Sequence, residues 1–298
     1  MYAIGLCIDE RYMLPALATV SSLANGLGPR ERKGVALRVL ALDLTPAHAV
    51  TLAQFARRLG FGSFDIRWCF PSAASRLVDD EYISITTYLR FQFTPAFVGC
   101  PYLIYMDSDV LVRGDLSSPL HNLPHGQLGA VQDEFNPQVG GTGRALPGVA
   151  ERWPQLGERA YFNAGVLWMP VAMLASIRTG VEQALVSGRR HILHNDQDAL
   201  NLWLLSSRAV QPVDAVFNRF ELGRFWERGN WVRRVVDRPV RSDPDAVLVH
   251  FVGPEKPWQA DCPATEDVRE YRAHLRATVR HINRMGELGI EAVAGGAR

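Results

Sequence analysis

The chain has 298 residues, enough for one large domain or two small ones. Hydrophobic residues make up 47% and charged residues 21%, the balance of a globular protein in water. The formal net charge of +1 gives no overall field that would draw nucleic acid. Cys7, Cys69, Cys100 and Cys262 are scattered without a C-x-x-C pair. That argues against a zinc site or a disulfide framework and fits a reducing cytoplasm. Asp9, Glu10 and Arg11 interrupt the first apolar run, so no signal peptide is expected, and no stretch approaches the length that spans a bilayer.

In chain order, Ala3 to Ile8 reads as a short buried strand. A helical pattern from Leu14 to Asn25 is closed by Gly26. Val35 to Leu42 is a second strand. Thr45 as cap and Pro46 at the first position open a helix that runs to Leu59 and ends at Gly60. Phe64 to Trp68 is a third strand. This alternation predicts a doubly wound α/β sheet, in which ligands bind beyond the carboxyl ends of the strands. Residues 134–160 are rich in Gly and Pro and read as a long loop. Phe162 to Val171 reads as a strand, Ala172 to Ser187 and Asp196 to Ser206 as helices, Ala246 to Phe251 as a late strand and Glu266 to Arg284 as a closing helix. Residues 217–243 are rich in arginine and tryptophan without a clear period.

The run Tyr102 to Arg113 reads YLIYMDSDVLVR. An apolar strand ends there in Asp-Ser-Asp, and alternation puts Asp107 and Asp109 on one side of the chain. Two carboxylates side by side at the end of a buried strand repel each other unless a cation lies between them, and a hard divalent ion accepts such oxygen ligands. Such a cation often holds the phosphates of a nucleotide.

Four further segments carry polar residues in apolar surroundings. His250 ends a late strand and is followed by Gly253, Pro254 and Lys256. The histidine could complete the Asp107/Asp109 site and Lys256 could meet a phosphate, but a surface histidine and a solvated lysine fit the same pattern. Asn163, beside the small Ala164 and Gly165, is either a ligand contact or a turn residue. Asp196, Gln197 and Asp198 open a helix, where acids complement the dipole and Asn195 or Asp196 could cap it; Gln197 is not needed for either purpose. Ser84 to Phe91 reads as a helix start with Thr86 or Thr87 near its cap. One turn on, Arg90 is either paired or an anion or hydroxyl binder.

Together these segments resemble glycosyltransferase family 8, which includes glycogenin and the bacterial lipooligosaccharide galactosyltransferases. The resemblance rests on six blocks in order: Asp9 to Tyr12, Ile83 to Arg90, Leu103 to Val112, Phe162 to Leu167, Asp196 to Asp198, and His250 to Trp258. It covers most of the chain and implies a GT-A fold, a Rossmann-like, mostly parallel sheet with flanking helices and a small C-terminal lobe. The expected organisation is a single domain over residues 1–298, with 1–132 as the nucleotide-binding half, 133–265 as the half for donor sugar and acceptor, and 266–298 as closing helix and tail. The implied reaction moves galactose or glucose from a UDP-sugar to a saccharide or glycoconjugate hydroxyl, with retention, using Mn²⁺ or, as the alternative, Mg²⁺.

By the same resemblance Asp107, Asp109 and His250 match the metal ligands. Asp9 and Tyr12 match the contacts to uracil, and Ser108, Gly253 and Lys256 fall among those to the donor and its diphosphate. Arg90, Asn163, Asp196 and Gln197 match positions around the transferred sugar, and Asp133 falls near the acceptor. Retention suggests a carboxylate nucleophile and two displacements. A front-face attack competes, with Gln197 and Asp196 as the residues nearest the chemistry. Arg11 and Val252 depart from the family's small polar residue and cysteine. Two other classes compete with this reading. A nucleotidyltransferase also uses Asp-x-Asp, but no Gly-rich phosphate loop stands near the N-terminus. A non-catalytic UDP-sugar-binding protein would not need every ligand position filled.

Two surface features remain. Arg269, Arg272, Arg276, Arg280 and Arg284 recur at helical spacing beside Val268, Tyr271, Leu275, Val279 and Ile282. An amphipathic helix docked on the body accounts for this, and peripheral membrane contact is the alternative. Arginines and aromatics between Arg224 and Arg234 suit stacking on sugar rings better than nucleic acid.

Overall fold

The computed structural model describes residues 1–69, 85–141, 145–223 and 242–285. The Arg/Trp cluster between Arg224 and Arg234, the Ile83–Ser84 start of one block and the tail beyond 285 lie outside the described residues. The strands in chain order are β1 (Tyr2–Ile8), β2 (Val35–Ala41), β3 (Ser63–Trp68), β4 (Tyr102–Met106), β5 (Val110–Val112), β6 (Leu128–Gln132), β7 (Phe162–Pro170), β8 (Val210–Val213), β9 (Arg219–Phe220) and β10 (Leu248–His250). The long helices are α1 (Met13–Gly26), α2 (Pro46–Leu59), α3 (Leu174–Ser187), α4 (Asn195–Ser207) and α5 (Glu266–Met285).

Seven strands form one sheet in the order β3-β2-β1-β4-β7-β6-β8, and three form a second in the order β5-β10-β9. The first sheet is mixed rather than wholly parallel, because β7 runs antiparallel to both β4 and β6. Alternation along β1 feeds two cores. Ile4, Leu6 and Ile8 pack with Leu17 and Val20 of α1 and Leu52 and Phe55 of α2. Ala3 and Cys7 face Phe93, Phe97 and the α3 residues Leu174, Ile177 and Val181. Full burial of such side chains contributes about 1.5–3 kcal/mol each, and helices on both faces make that burial complete.

Local signals explain several boundaries. Thr45 caps α2 by accepting from the His48 N–H at 3.2 Å, with Pro46 at the first position as expected. Ile85–Phe91 forms a 3-10 helix where an ordinary helix start was expected. The 134–160 region is more ordered than a bare loop. It contains a helical turn, Val149–Arg152, and its Val139, Ala145, Leu146 and Val149 form a small core with Tyr161.

α5 docks by Val268, Tyr271 and Ile282, all buried, and the Tyr271 hydroxyl donates to Pro15 O of α1 at 3.4 Å. Arg113, at the end of β5, holds it by donating to Asp267 and Glu270, each at 2.6 Å. The amphipathic reading of this helix stands, but Arg272 leaves the basic stripe. Its guanidinium donates to Pro257 O and Gln259 O at 2.7 Å and to Cys262 O at 3.0 Å.

Candidate active site

The two sheets meet where β4 passes into β5. Pairing of β5 with β10 is antiparallel and sets His250 opposite Val110, next to Asp109. Backbone bonds fix the Asp-Ser-Asp loop from three directions. Asp107 N donates to Gly165 O at 2.8 Å, Phe251 N to Asp109 O at 3.0 Å, and Thr19 Oγ1 to Ser108 O at 2.8 Å. One ligand atom from each of Asp107, Asp109 and His250 lies within 4.8 Å of the others. His250 Nε2 is 3.7 Å from Asp107 Oδ2 and 3.6 Å from Asp109 Oδ1. A β-carbon at Gly165 would fall 2.2 Å from His250 Cε1 and 2.9 Å from Asp107 Oδ2, so only glycine leaves this cradle open. The buried Ser108 hydroxyl, between the two aspartates, has no hydrogen-bond partner among the described residues. Two carboxylates and an imidazole suit a divalent cation, so the residues present fit the expected kind of ion.

Two basic side chains offset the carboxylates. Lys256 Nζ donates to Asp109 Oδ2 and, at 3.0 Å, to Phe251 O; Gly253, in the left-handed region at φ 88°, turns the chain to bring it back. Burial works to raise the Asp109 pKa, but the Lys256 ammonium and the His250 ring outweigh it and hold the carboxyl well below the usual range. Arg90, only 3% exposed, pairs with Asp107 and with Asp196, each at 3.1 Å, and donates to Ala164 O. It also lies 4.7 Å over the Tyr105 ring, whose hydroxyl donates to Asp107 Oδ1 at 2.5 Å. Burial works against the Arg90 charge, yet Asp107 and Asp196 raise its pKa above the ordinary value.

Beside this ionic cluster lies a network of amides. Gln197 Oε1 accepts from Asn163 Nδ2 at 3.0 Å and from Ala164 N at 3.1 Å. Asp133 Oδ2 accepts from Asn163 Nδ2 and Gln197 Nε2, both at 3.1 Å. Its Oδ1 accepts from Phe135 N and Asn136 N. Asn218 joins Asn163 to His250, donating to Asn163 Oδ1 at 2.9 Å and meeting His250 Nδ1 at 3.0 Å. α4 is stitched to β7 by Asn201, which bonds both the N–H and the C=O of Phe162 at 2.8 Å. The expected cap at Asn195 or Asp196 does not form, and the N-cap residue His194 makes no side-chain cap either; the acid that reaches back to the residues before the helix is Asp198. Its Oδ2 takes the N–H groups of Leu193 and His194, while its Oδ1 accepts from the Tyr161 hydroxyl.

At the far side Asp9 accepts from Tyr12 N at 3.0 Å. The Tyr12 ring meets Trp258 edge-on at 5.5 Å, which links it to the Lys256 loop.

A model of glycosyl transferase family 8 matches residues 3–262. The chain belongs to that family. Among curated family relatives, the lipopolysaccharide 1,3-galactosyltransferase of Salmonella typhimurium is 28% identical over 58% of this chain and 49% of its own length. Glycosyltransferase GlyF of Streptococcus pneumoniae is 23% identical over 86% of this chain and 57% of its own length. The chain thus spans about half the length of the curated relatives it matches. The solved structure of the galactosyltransferase LgtC with donor and acceptor sugar analogs superposes with a TM-score of 0.69, at 24% identity over 92% of this chain and 95% of that one. That of GlyE of S. pneumoniae gives 0.63 at 18% identity, over 96% and 64%. These likenesses support the GT-A fold.

The structure brings Asp107, Asp109 and His250 together, with Lys256 on one side and Arg90, Asp196, Asn163, Gln197 and Asp133 on the other. Asp9 and Tyr12 stand at the end of β1, with Tyr12 reaching the Lys256 loop through Trp258. Three participants escaped sequence reasoning: Tyr105, Asn201 and Asn218. Tyr105 is on β4, two residues before Asp107, which follows the strand, and was legible in principle from period-two alternation.

Proposed function

We propose that the chain transfers a hexose, galactose or glucose, from a UDP-sugar to a hydroxyl of a saccharide or glycoconjugate, with retention. The observation that carries this is the convergence of the Asp107/Asp109/His250 cluster with the Arg90–Asp196 pair and the Asn163–Gln197 amides. A bound Mn²⁺, or Mg²⁺, supplies Lewis-acid neutralisation of the diphosphate as UDP departs. Asp9 and Tyr12 take the uracil, and Ser108 and Gly253 line the donor. Lys256, released from Asp109, gives its positive charge to a phosphate oxygen.

Arg90, Asn163 and Asp196 hold hexose hydroxyls in a buried, prearranged frame, so little reorganisation accompanies the reaction. Gln197 lies against β7 and stabilises positive charge at the anomeric carbon, with Asp196 as the adjacent carboxylate. Asp133, the expected acceptor contact, already receives four donors, so an acceptor hydroxyl there competes with Asn163 and Gln197.

All four cysteines are unpaired, which supports a cytoplasmic setting. No helix among the described residues is long and apolar enough to cross a membrane. The exposed Arg269, Arg276, Arg280 and Arg284 give α5 a basic face suited to an anionic membrane surface, which vesicle flotation tests.

The deciding experiment measures UDP release from a panel of UDP-sugars with Mn²⁺, with and without chelator and saccharide acceptors. Metal-dependent release from one UDP-hexose supports the reading and names the donor. Release that persists in chelator, or release from no UDP-hexose with any acceptor, overturns it.

A further inference from the structure

The directions of the hydrogen bonds beside the cluster can be assigned without choice, because two backbone N–H groups start the chain. Gly165 N can only donate, so the atom it meets at 2.8 Å is the Asn163 oxygen, and the Asn163 amino group turns to Asp133 and Gln197. Ala164 N can only donate, which fixes the Gln197 oxygen in the same way. Asn218 meets the Asn163 oxygen at 2.9 Å and must offer its amino group there. Its own oxygen is left for His250 Nδ1 at 3.0 Å, so that nitrogen carries hydrogen. Nε2 is then the nitrogen left available to a metal ion, and it is the one turned toward Asp107 and Asp109.

Asn218 is suited to hold this arrangement. It is fully buried, and it sits between the 3-10 turn Ala215–Phe217 and β9, which pairs with β10 so that Phe220 lies opposite His250. Its N–H donates to Ala215 O, and Glu221 N donates to His250 O at 2.9 Å, so Asn218 and His250 are both fixed at the backbone.

We propose that Asn218 is a positioning residue. It holds His250 in the tautomer that presents Nε2 to a divalent cation and ties that ligand to the Asn163–Gln197 frame on the sugar side. This rests on the reading of Asp107, Asp109 and His250 as a metal site.

The test is a direct Mn²⁺ titration, following the free-ion signal by electron paramagnetic resonance, beside steady-state kinetics and thermal unfolding, on wild type, Asn218→Ala and Asn218→Asp. Asn218→Ala loses both bonds and binds Mn²⁺ about 10–100-fold more weakly. Asn218→Asp still accepts from His250 Nδ1 and binds Mn²⁺ close to wild type. It cannot donate to Asn163, so its kcat falls while its Mn²⁺ affinity does not. Wild-type Mn²⁺ affinity in a folded Asn218→Ala overturns the proposal. Where that variant does not fold, wild-type kcat in Asn218→Asp overturns it instead. Failure of the wild type itself to bind Mn²⁺ would sink the metal reading, a separate outcome.

Discussion

Gly165 stands against the ring of His250: a β-carbon at residue 165 would lie 2.2 Å from His250 Cε1. The small Ala164 and Gly165 after Asn163 suggested room for a ligand to approach the backbone, and at Gly165 the structure fills that room with one of the chain's own candidate metal ligands. Gly165→Ala must push the imidazole out of line with Asp107 and Asp109. Displacement of a site group by about 1 Å can cost roughly 100-fold in rate, so a loss of that order is expected, with Mn²⁺ binding weakened in parallel. Kinetics and Mn²⁺ titration on the purified variant check this, and wild-type values in both would show that the ring has another place to go.

Arg90 is the shared counter-charge of Asp107 and Asp196, which are otherwise brought together at the end of the sheet. Removing one partner of a buried ion pair leaves a charge without compensation and costs about 3–5 kcal/mol. Arg90→Ala is expected to lose stability of that order in chelator, measured by urea unfolding. Arg90→Lys keeps the charge but lacks the planar fork that reaches both carboxylates and Ala164 O together. It should recover part of the stability and little of the turnover. Equal turnover in the lysine variant and wild type would mean that the fork geometry is irrelevant.

Asp109 gives a pH signature. Burial raises its pKa, but Lys256 and His250 dominate and depress it below the unfolded value of about 3.9. The unfolded chain therefore takes up this proton first as pH falls. The stabilisation is complete above about pH 4 and is lost progressively below it. In chelator, Asp109→Asn should be less stable than wild type at neutral pH, and the gap should narrow below about pH 4. Urea midpoints measured across that range would reveal a gap independent of pH if the carboxylate were not the source.

Much of the site was legible because its residues stand at ends of strands with strong local signals. Asp107 and Asp109 close an apolar run, and His250 precedes a glycine turn. Asn218 had no such signal. It is one amide in a stretch without period, and its partners are 32 and 55 residues away. The strands β6 and β8 were hidden for related reasons: β6 begins with Leu128 and Gly129, and β8 contains Pro212. That proline is tolerated because β8 is the edge of its sheet. The cap expected on α4 does not form: Asp198 reaches back from inside the helix to Leu193 and His194, which precede it, past Asn195 at φ 45°.

Arg272 was expected in a solvated stripe, and instead it clamps three carbonyls of the segment Pro257–Cys262, immediately after Lys256. Trp258, within that segment, packs on both Tyr12 and Tyr271. The closing helix therefore braces the loops that carry Tyr12 and Lys256. A hydrogen bond to a charged donor contributes about 1.5–3 kcal/mol, and less where, as at Gln259 O, it is open to water. Arg272→Gln should loosen the Lys256 loop while the sugar-side network stays intact, so KM for the UDP-sugar should rise more than kcat falls. Arg276→Gln, one helical turn on and exposed, is the control and should change neither. A loss in Arg272→Gln confined to kcat would mean that the clamp acts on the chemistry rather than on nucleotide binding.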